Sequence, residues 1–286
     1  MINDCQTNKV YLAEGIKGYP RVAERLLMAL CDEGIDTDYL PLSKSPRHVW
    51  ARDYMPVLLE KDRFVKYVYR PDYLKDAPEY IPSYNAMIRR LGLSCKPTSL
   101  VIDGGNVVKC GDRVIMTDKV LKENPAHDPF CLRFRLEELF EADVVLIPWD
   151  RYEMFGHADG MVRYLGGRRV LLNHYIDFDK DLRQRILQAL QGWFSVEELH
   201  FDTPRCSRMS WAYLNYLQVK NRIFVPVLGI REDELALRQL EAFFPDHKVL
   251  PVPGCQDLVR DGGALNCVTW NVLEEESGKT ENDDRD

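Results

Sequence analysis

An α+β ring of five repeated units, each two strands, a helix and a third strand, is the fold class this sequence predicts, and three observations predict it. Four short motifs recur at even spacing: W-A-R-D at 50–53, D-G-G-N at 103–106, G-H-A-D at 156–159 and S-W-A-Y-L-N at 210–215. Asp103 follows Trp50 by 53 residues, His157 follows Asp103 by 54 and Ser210 follows His157 by 53, and a fixed period of this length marks a repeated supersecondary unit. After each motif the same succession of hydrophobic patterns returns. The two ends of the chain each carry part of one further unit.

The N-terminal part supplies a strand K-V-Y-L-A (9–13), a helix near Arg21 to Cys31 and a strand near Tyr39. In the second unit, V-W-A-R-D-Y-M-P-V-L-L and R-F-V-K-Y-V-Y read as strands around a Lys61-Asp62 turn. Glu79 to Leu91 then carries helical spacing, and L-S-C-K-P-T closes the unit. The third offers V-I-D-G-G-N-V-V-K-C, the turn Gly111-Asp112, R-V-I-M-T, a helix around Leu132 to Phe140 and V-V-L-I-P. The fourth offers G-M-V-R-Y-L, the turn Gly166-Gly167 and R-V-L-L-N-H-Y. Its helix runs from about Lys180 to Phe194, with Leu182, Ile186, Leu187 and Leu190 on one face, before a strand near Val196 to Phe201. The fifth offers A-Y-L-N-Y-L-Q-V, the turn Lys220-Asn221, R-I-F-V-P-V-L, a helix Glu232 to Phe244 and K-V-L-P-V. L-N-C-V-T-W-N-V-L, near the C-terminus, is the strand the first unit lacks; paired with the N-terminal strand it closes the ring and leaves few free sheet edges. Residues 1–273 therefore read as one domain, and 274–286, acidic and without a large apolar residue, as a solvated tail.

Apolar residues at 45% and charged residues at 29% suit a packed globular core. A net charge of −7 argues against nucleic acid or an anionic membrane as the partner and is compatible with a cationic small molecule. The eight cysteines form no C-x-x-C pair and read as mostly reduced thiols. Met1-Ile2-Asn3-Asp4-Cys5 lacks a secretion signal and no window has the apolar length of a membrane span, so a cytoplasmic location is expected. Oligomeric state is not legible.

In such a ring the motif-bearing ends of the first strands meet near the axis, which brings Asp53, Asp103, His157, Asp159, Asn215 and Cys267 together. A cysteine of ordinary pKa, about 8.5, is only a few per cent thiolate at neutral pH, and nearby carboxylates disfavour the thiolate further. A pocket with several aspartates and a nucleophilic thiol makes sense when a cation enters it. A guanidinium is the natural candidate, being planar, always charged and rich in N–H donors for bidentate carboxylate pairing. At about 4 Å and an effective dielectric near 20, each such charge pair gains roughly 4 kcal/mol before desolvation. Zinc held by His157, Asp159 and Cys267 lacks a second histidine and short ligand spacing, so no metal or other cofactor is expected. Taken singly, each residue has a structural reading. Cys267 is a small hydrophobe on an apolar strand, His157 a loop histidine, Arg52 a partner for a neighbouring carboxylate and Trp50 core or pocket wall.

W-A-R-D-Y-M-P resembles the W-x-R-D-x-x-P motif of the agmatine deiminase and bacterial (Porphyromonas-type) peptidylarginine deiminase family, within the guanidino-group-modifying (pentein) superfamily. D-G-G-N, G-H-A-D-G-M-V-R-Y, S-W-A-Y-L-N-Y and D-G-G-A-L-N-C-V-T match its later motifs in order, from about residue 45 to 272. The resemblance implies a five-bladed ββαβ propeller and a hydrolase that converts a guanidino group to a ureido group and ammonia through a cysteine thiouronium, on agmatine or on peptidyl or free arginine. It also implies that Asp53 and Asp159 clamp the guanidinium, that His157 is general acid and then base, that Asp103 orients it, and that Cys267 is the nucleophile. Asn215 matches a polar pocket residue, and Trp50 and Arg52 belong to the first motif. Tyr67-Val68-Tyr69-Arg70-Pro71-Asp72 resembles the segment in which the peptidylarginine type binds a substrate carboxylate, which makes Arg70 a candidate carboxylate binder. Two positions depart from the pattern: Asn266 stands where family members usually carry histidine, and Asp103 where they often carry glutamate. The alternatives are an amidinotransferase, a methylarginine hydrolase and an inactive paralogue that only binds a guanidinium.

Overall fold

The computed structural model describes residues 1–153, 155–203 and 212–275. In chain order its strands are β1 (Lys9–Ala13), β2 (Asp36–Leu40), β3 (Val57–Glu60), β4 (Arg63–Val68), β5 (Cys95–Val101), β6 (Val108–Cys110), β7 (Arg113–Thr117) and β8 (Asp143–Ile147). They continue with β9 (Val162–Gly166), β10 (Arg169–Leu172), β11 (Ser195–Glu198), β12 (Leu217–Val219), β13 (Arg222–Val227), β14 (Lys248–Pro253) and β15 (Thr269–Val272). They form five separate three-stranded sheets of one plan, β3-β4-β5, β6-β7-β8, β9-β10-β11, β12-β13-β14 and β15-β1-β2. In every sheet the first pair is antiparallel and the second parallel. The parallel pairing requires a crossover, and the helices Pro20–Asp32, Tyr84–Arg90, Pro129–Phe140, Lys180–Leu190 and Glu232–Phe243 supply it. Five sheets of identical topology are what the expected ring of repeats requires.

The crossover helices follow their apolar spacing. Pro20–Asp32 starts with proline at its first position and buries Val22, Ala23, Leu26 and Leu30, and full burial of a leucine contributes about 1.5–3 kcal/mol. Asp128 caps Pro129–Phe140 by accepting from the amides of Phe130 and Cys131, and Asp179 caps Lys180–Leu190 through Leu182. The helix expected over 79–91 starts only at Tyr84, because Pro82 cannot continue a helix begun before it.

The two terminal strands pair as expected. Strand β15 pairs antiparallel with β1, Lys9 opposite Val272 through Leu12 opposite Thr269. Asn8 and Glu274 extend the seam: the Asn8 side chain donates to the Glu274 carbonyl at 2.8 Å and accepts from its amide at 2.8 Å. The Glu274 carboxylate pairs with Lys9 at 3.1 Å and accepts from the Tyr11 hydroxyl at 2.8 Å. The expected tail boundary at 274 is thereby corrected, since Glu274, two residues past the closing strand, is held by Asn8, Lys9 and Tyr11; residues 276–286 lie outside the described residues.

A further correction concerns the motifs. The runs read as long first strands are each split: W-A-R-D folds as the one-turn helix Ala51–Tyr54, and Gly104–Asn106, Ala158–Gly160 and Ala212–Leu214 are single 3-10 turns, each leading into its strand. Their apolar character reflects burial on all sides, which period-2 reasoning cannot separate from strand. The short helices Lys119–Glu123, Tyr175–Phe178 and Gln256–Arg260 carry too few turns to show periodicity.

Candidate active site

The motif turns interlock from unit to unit. Asn106 Oδ1 accepts from the amides of Thr117 at 2.8 Å and of Ala158 at 3.2 Å, joining the third unit to the fourth. Asn215 Oδ1 accepts from the amides of Ala264 and Cys267, each at 3.2 Å, and the Arg52 amide donates to the Cys267 carbonyl at 3.0 Å. Asn215 is fully buried, so these bonds set the turn that carries Cys267 without competition from water. Cys267 sits on that turn, two residues before β15.

His157 lies between two carboxylates. Its Nε2 faces Asp103 Oδ2 at 2.9 Å and its Nδ1 faces Asp53 Oδ1 at 3.6 Å. Asp103, although one methylene shorter than the glutamate common in the resembled family, reaches the ring. Burial works against the imidazolium, but Asp53, the Asp103 hydrogen bond and Asp159 together raise the His157 pKa to about 9. Burial, with Asp103 and Asp159 close by, pushes Asp53 up to about 7 against the pull of His157. Cys267 Sγ lies 3.8 Å from Asp159 Oδ2, and burial, Asp159 and Asp53 hold its thiol well above the ordinary range. Asn266 Nδ2 donates to the same Asp159 oxygen at 2.6 Å, so the residue that departs from the family pattern fixes this carboxylate.

Asp53, His157 and Cys267 form the floor of a cavity of about 190 Å³, lined also by Trp50, Tyr69, Tyr73 and Phe155, with Arg47, Tyr80 and Asp261 toward solvent. A smaller space of about 40 Å³ adjoins it through Phe155, His157, Gly262 and Cys267 and reaches Asp159 and Asn215. Glycine is required at two points. Gly262 holds φ at +103°, and a Cβ on Gly105 would stand 2.5 Å from His157 Nδ1 and 2.8 Å from Asp53 Oδ1. Gly105→Ala is therefore expected to lower turnover about a hundredfold by displacing the imidazole, on the scale set by an ångström of misplacement. Steady-state kinetics beside a thermal melt checks this; unchanged kinetics would show that the ring tolerates displacement.

Of the sequence-derived candidates, Cys267, His157, Asp159, Asp53, Asp103, Asn215 and Trp50 are brought together. Arg52 is corrected: it lines neither of these spaces, because its guanidinium donates to Asn271 Oδ1 and to the Asn266 carbonyl on the far side of Asp159. Arg70 is exposed and also lines neither, although its neighbour Tyr69 does. Ser210 and Trp211 of the fifth motif lie outside the described residues.

Two groups escaped the sequence reading. Lys119, 1% exposed, contacts Asp72 at 3.3 Å, Glu123 at 3.3 Å and Asp103 at 4.0 Å, and donates to the Phe155 carbonyl at 2.7 Å. Glu123 is pushed up to about 7 by burial and Asp103 despite that lysine. Lys119 thus ties the His157 partner to two cavity walls. Lys109, Arg163, Gln218 and Asn271 each interrupt an apolar inner strand at steps of 54, 55 and 53 residues, a second copy of the repeat period that would have marked them. Three of them line a small polar space with Arg52, Asp4 and Asp159, where Asp4 pairs with Lys109 at 2.9 Å and Arg163 at 3.5 Å. Cations thus stand behind Asp159, opposite Cys267.

Repeated three-stranded sheets around a buried cysteine, histidine and aspartates define a protein of the pentein fold. The chain belongs to the Porphyromonas-type peptidyl-arginine deiminase family, whose model matches residues 8–272. Among its relatives, a candidate agmatine deiminase of Mycoplasma mycoides is 24% identical, with 82% of this chain and 77% of that one covered. One of Shewanella baltica is 22% identical, with 65% of this chain and 60% of that one covered, so the chain spans under two thirds of that relative's length. Among solved structures, an agmatine deiminase of C. jejuni superposes with a TM-score of 0.74 at 13% identity, covering 96% of this chain and 95% of that one. No helix among the described residues is long and apolar enough to cross a membrane.

Proposed function

We propose that the protein is a guanidine deiminase, a hydrolase that converts the guanidino group of agmatine or an arginine derivative to a ureido group and releases ammonia. One observation carries the reading: a buried thiol and an imidazole line one cavity with Asp53, while Asp159 lies against the thiol in the adjoining space and Asp103 holds the imidazole from behind, an arrangement suited to a planar cation. The family and the names of its relatives support the same chemistry.

With the cavity unoccupied by a cation, Cys267 is a neutral thiol and His157 an imidazolium. A guanidinium between Asp53 and Asp159 neutralises the carboxylates that oppose the thiolate, and the thiol proton leaves to solvent. The thiolate forms a C–S bond to the guanidinium carbon, and His157 gives its proton to the amine as the C–N bond breaks and ammonia departs. Water then attacks the thiouronium carbon as His157 takes one of its protons, and the second proton passes to the departing Cys267 sulfur as the C–S bond breaks, which releases the ureido product and restores the starting thiol and imidazolium. Asp103 holds Nε2, which leaves Nδ1 for these transfers.

Alkylation tests this directly. At pH 7 a cationic haloacetamidine is expected to label Cys267 far faster than the neutral iodoacetamide, read by mass spectrometry of the Cys267 peptide. Equal rates for the two reagents would sink the claim that an entering cation activates the thiol. Ureido and ammonia formation from agmatine, arginine and a peptide ending in arginine separates hydrolysis from amidino transfer.

A further inference from the structure

We propose that the mouth of the 190 Å³ cavity reads the two backbone charges of a free α-amino acid, Arg47 taking its carboxylate and Asp261 its α-ammonium, so that arginine is preferred to agmatine. This deepens the deiminase reading and rests on it for what occupies the floor.

Depth orders the lining. Asp53 and Cys267 are buried, whereas Arg47, Tyr80 and Asp261 are exposed. Trp50, Tyr73 and Phe155, half-buried, lie between the two levels and with the buried Tyr69 form an aromatic wall suited to a short methylene chain. Apart from His157 at the floor, Arg47 is the one cation of this lining among the described residues, and no carboxylate among them pairs with it. Its guanidinium lies over the Tyr80 ring at 5.3 Å, which leaves the N–H edge for a bidentate carboxylate. Asp261 accepts from the Tyr19 hydroxyl through Oδ2 at 2.6 Å, which holds its side chain and leaves Oδ1 for a second donor.

The three candidate substrates satisfy this mouth differently. Agmatine carries an ammonium for Asp261 but nothing for Arg47. A peptide ending in arginine carries a carboxylate for Arg47 but no free α-ammonium for Asp261. Free arginine meets both, and each of the other two forgoes one charge-assisted pair.

The experiment measures kcat/KM for arginine, agmatine, argininamide and Nα-acetylarginine with the wild type, Arg47→Ala and Asp261→Asn. Arg47→Ala is expected to lower the values for arginine and Nα-acetylarginine about 10- to 100-fold relative to those for agmatine and argininamide, on the scale of a charge-assisted pair. Asp261→Asn is expected to lower arginine, agmatine and argininamide relative to Nα-acetylarginine. Equal losses across all four compounds overturn the proposal. Should the wild type turn over none of them, the deiminase reading fails separately, and dissociation constants for arginine and agmatine on Cys267→Ser, with and without Arg47→Ala, still decide. An unchanged ratio between the two ligands then refutes a carboxylate site at Arg47.

Discussion

Cys267→Ser is expected to abolish turnover, a loss on the order of 10⁴-fold or more, and His157→Gln to do the same, while the double variant loses no more than either alone. The two side chains act in one sequence of steps, so removing one makes the other idle. Serine keeps the size and the Asn215-held turn but cannot ionise where burial and two aspartates already hold a thiol well above its ordinary range. Additive losses would show that the two act independently. The His157 variant carries a second readout in pH. The histidine's folded pKa of about 9 lies above its ordinary 6.5, so its charged interactions stabilise the fold fully below 6.5 and are lost as pH rises through about 9. The difference in melting temperature between wild type and His157→Gln should therefore shrink across that window. A difference that stays constant or widens would refute the imidazolium assignment.

Lys119→Met is expected to cost about 3–5 kcal/mol of stability, as breaking a buried ion pair does, and to lower kcat more than it raises KM. The lysine is 1% exposed and its removal leaves Glu123 and Asp103 without their shared cation. Its bonds to Asp72 and to the Phe155 carbonyl tie down two walls of the cavity, and the Tyr73 and Phe155 rings pack edge to face 4.9 Å apart beside them. A purely structural lysine would leave the pH profile of the surviving activity in place. A positioning lysine would not, because losing a cation 4.0 Å from Asp103 strengthens that carboxylate's hold on the imidazolium and moves the His157 limb to higher pH. Lys119→Arg, which keeps the charge, should restore the profile at least in part; a profile unmoved in Lys119→Met would refute the role.

The period near 53 residues was enough to count the units, place the crossover helices and pair the two ends, because each unit repeats the same local hydrophobic patterns and each turn announces itself. Ring closure also brought Asp53, Asp103, His157, Asp159 and Cys267 together from the sequence, since equivalent positions of equivalent units must meet at the axis. What local pattern could not carry is direction. Arg52 and Asp53 are neighbours in one helical turn, yet the arginine turns to Asn271 and the aspartate to His157. Arg70 is the candidate in the sequence because its segment resembles a carboxylate-binding one, and nothing local marks Arg47; only packing sets Arg47 against Tyr80 in the cavity and Arg70 outside it. Lys119 reads as an ordinary surface lysine of a short helix until the fold lays Asp72, Asp103 and Phe155 around it. Repetition along the chain, a local property, determined which residues meet; the contacts among distant units, which no sequence window contains, decided which side chains face the cavity and what holds them there.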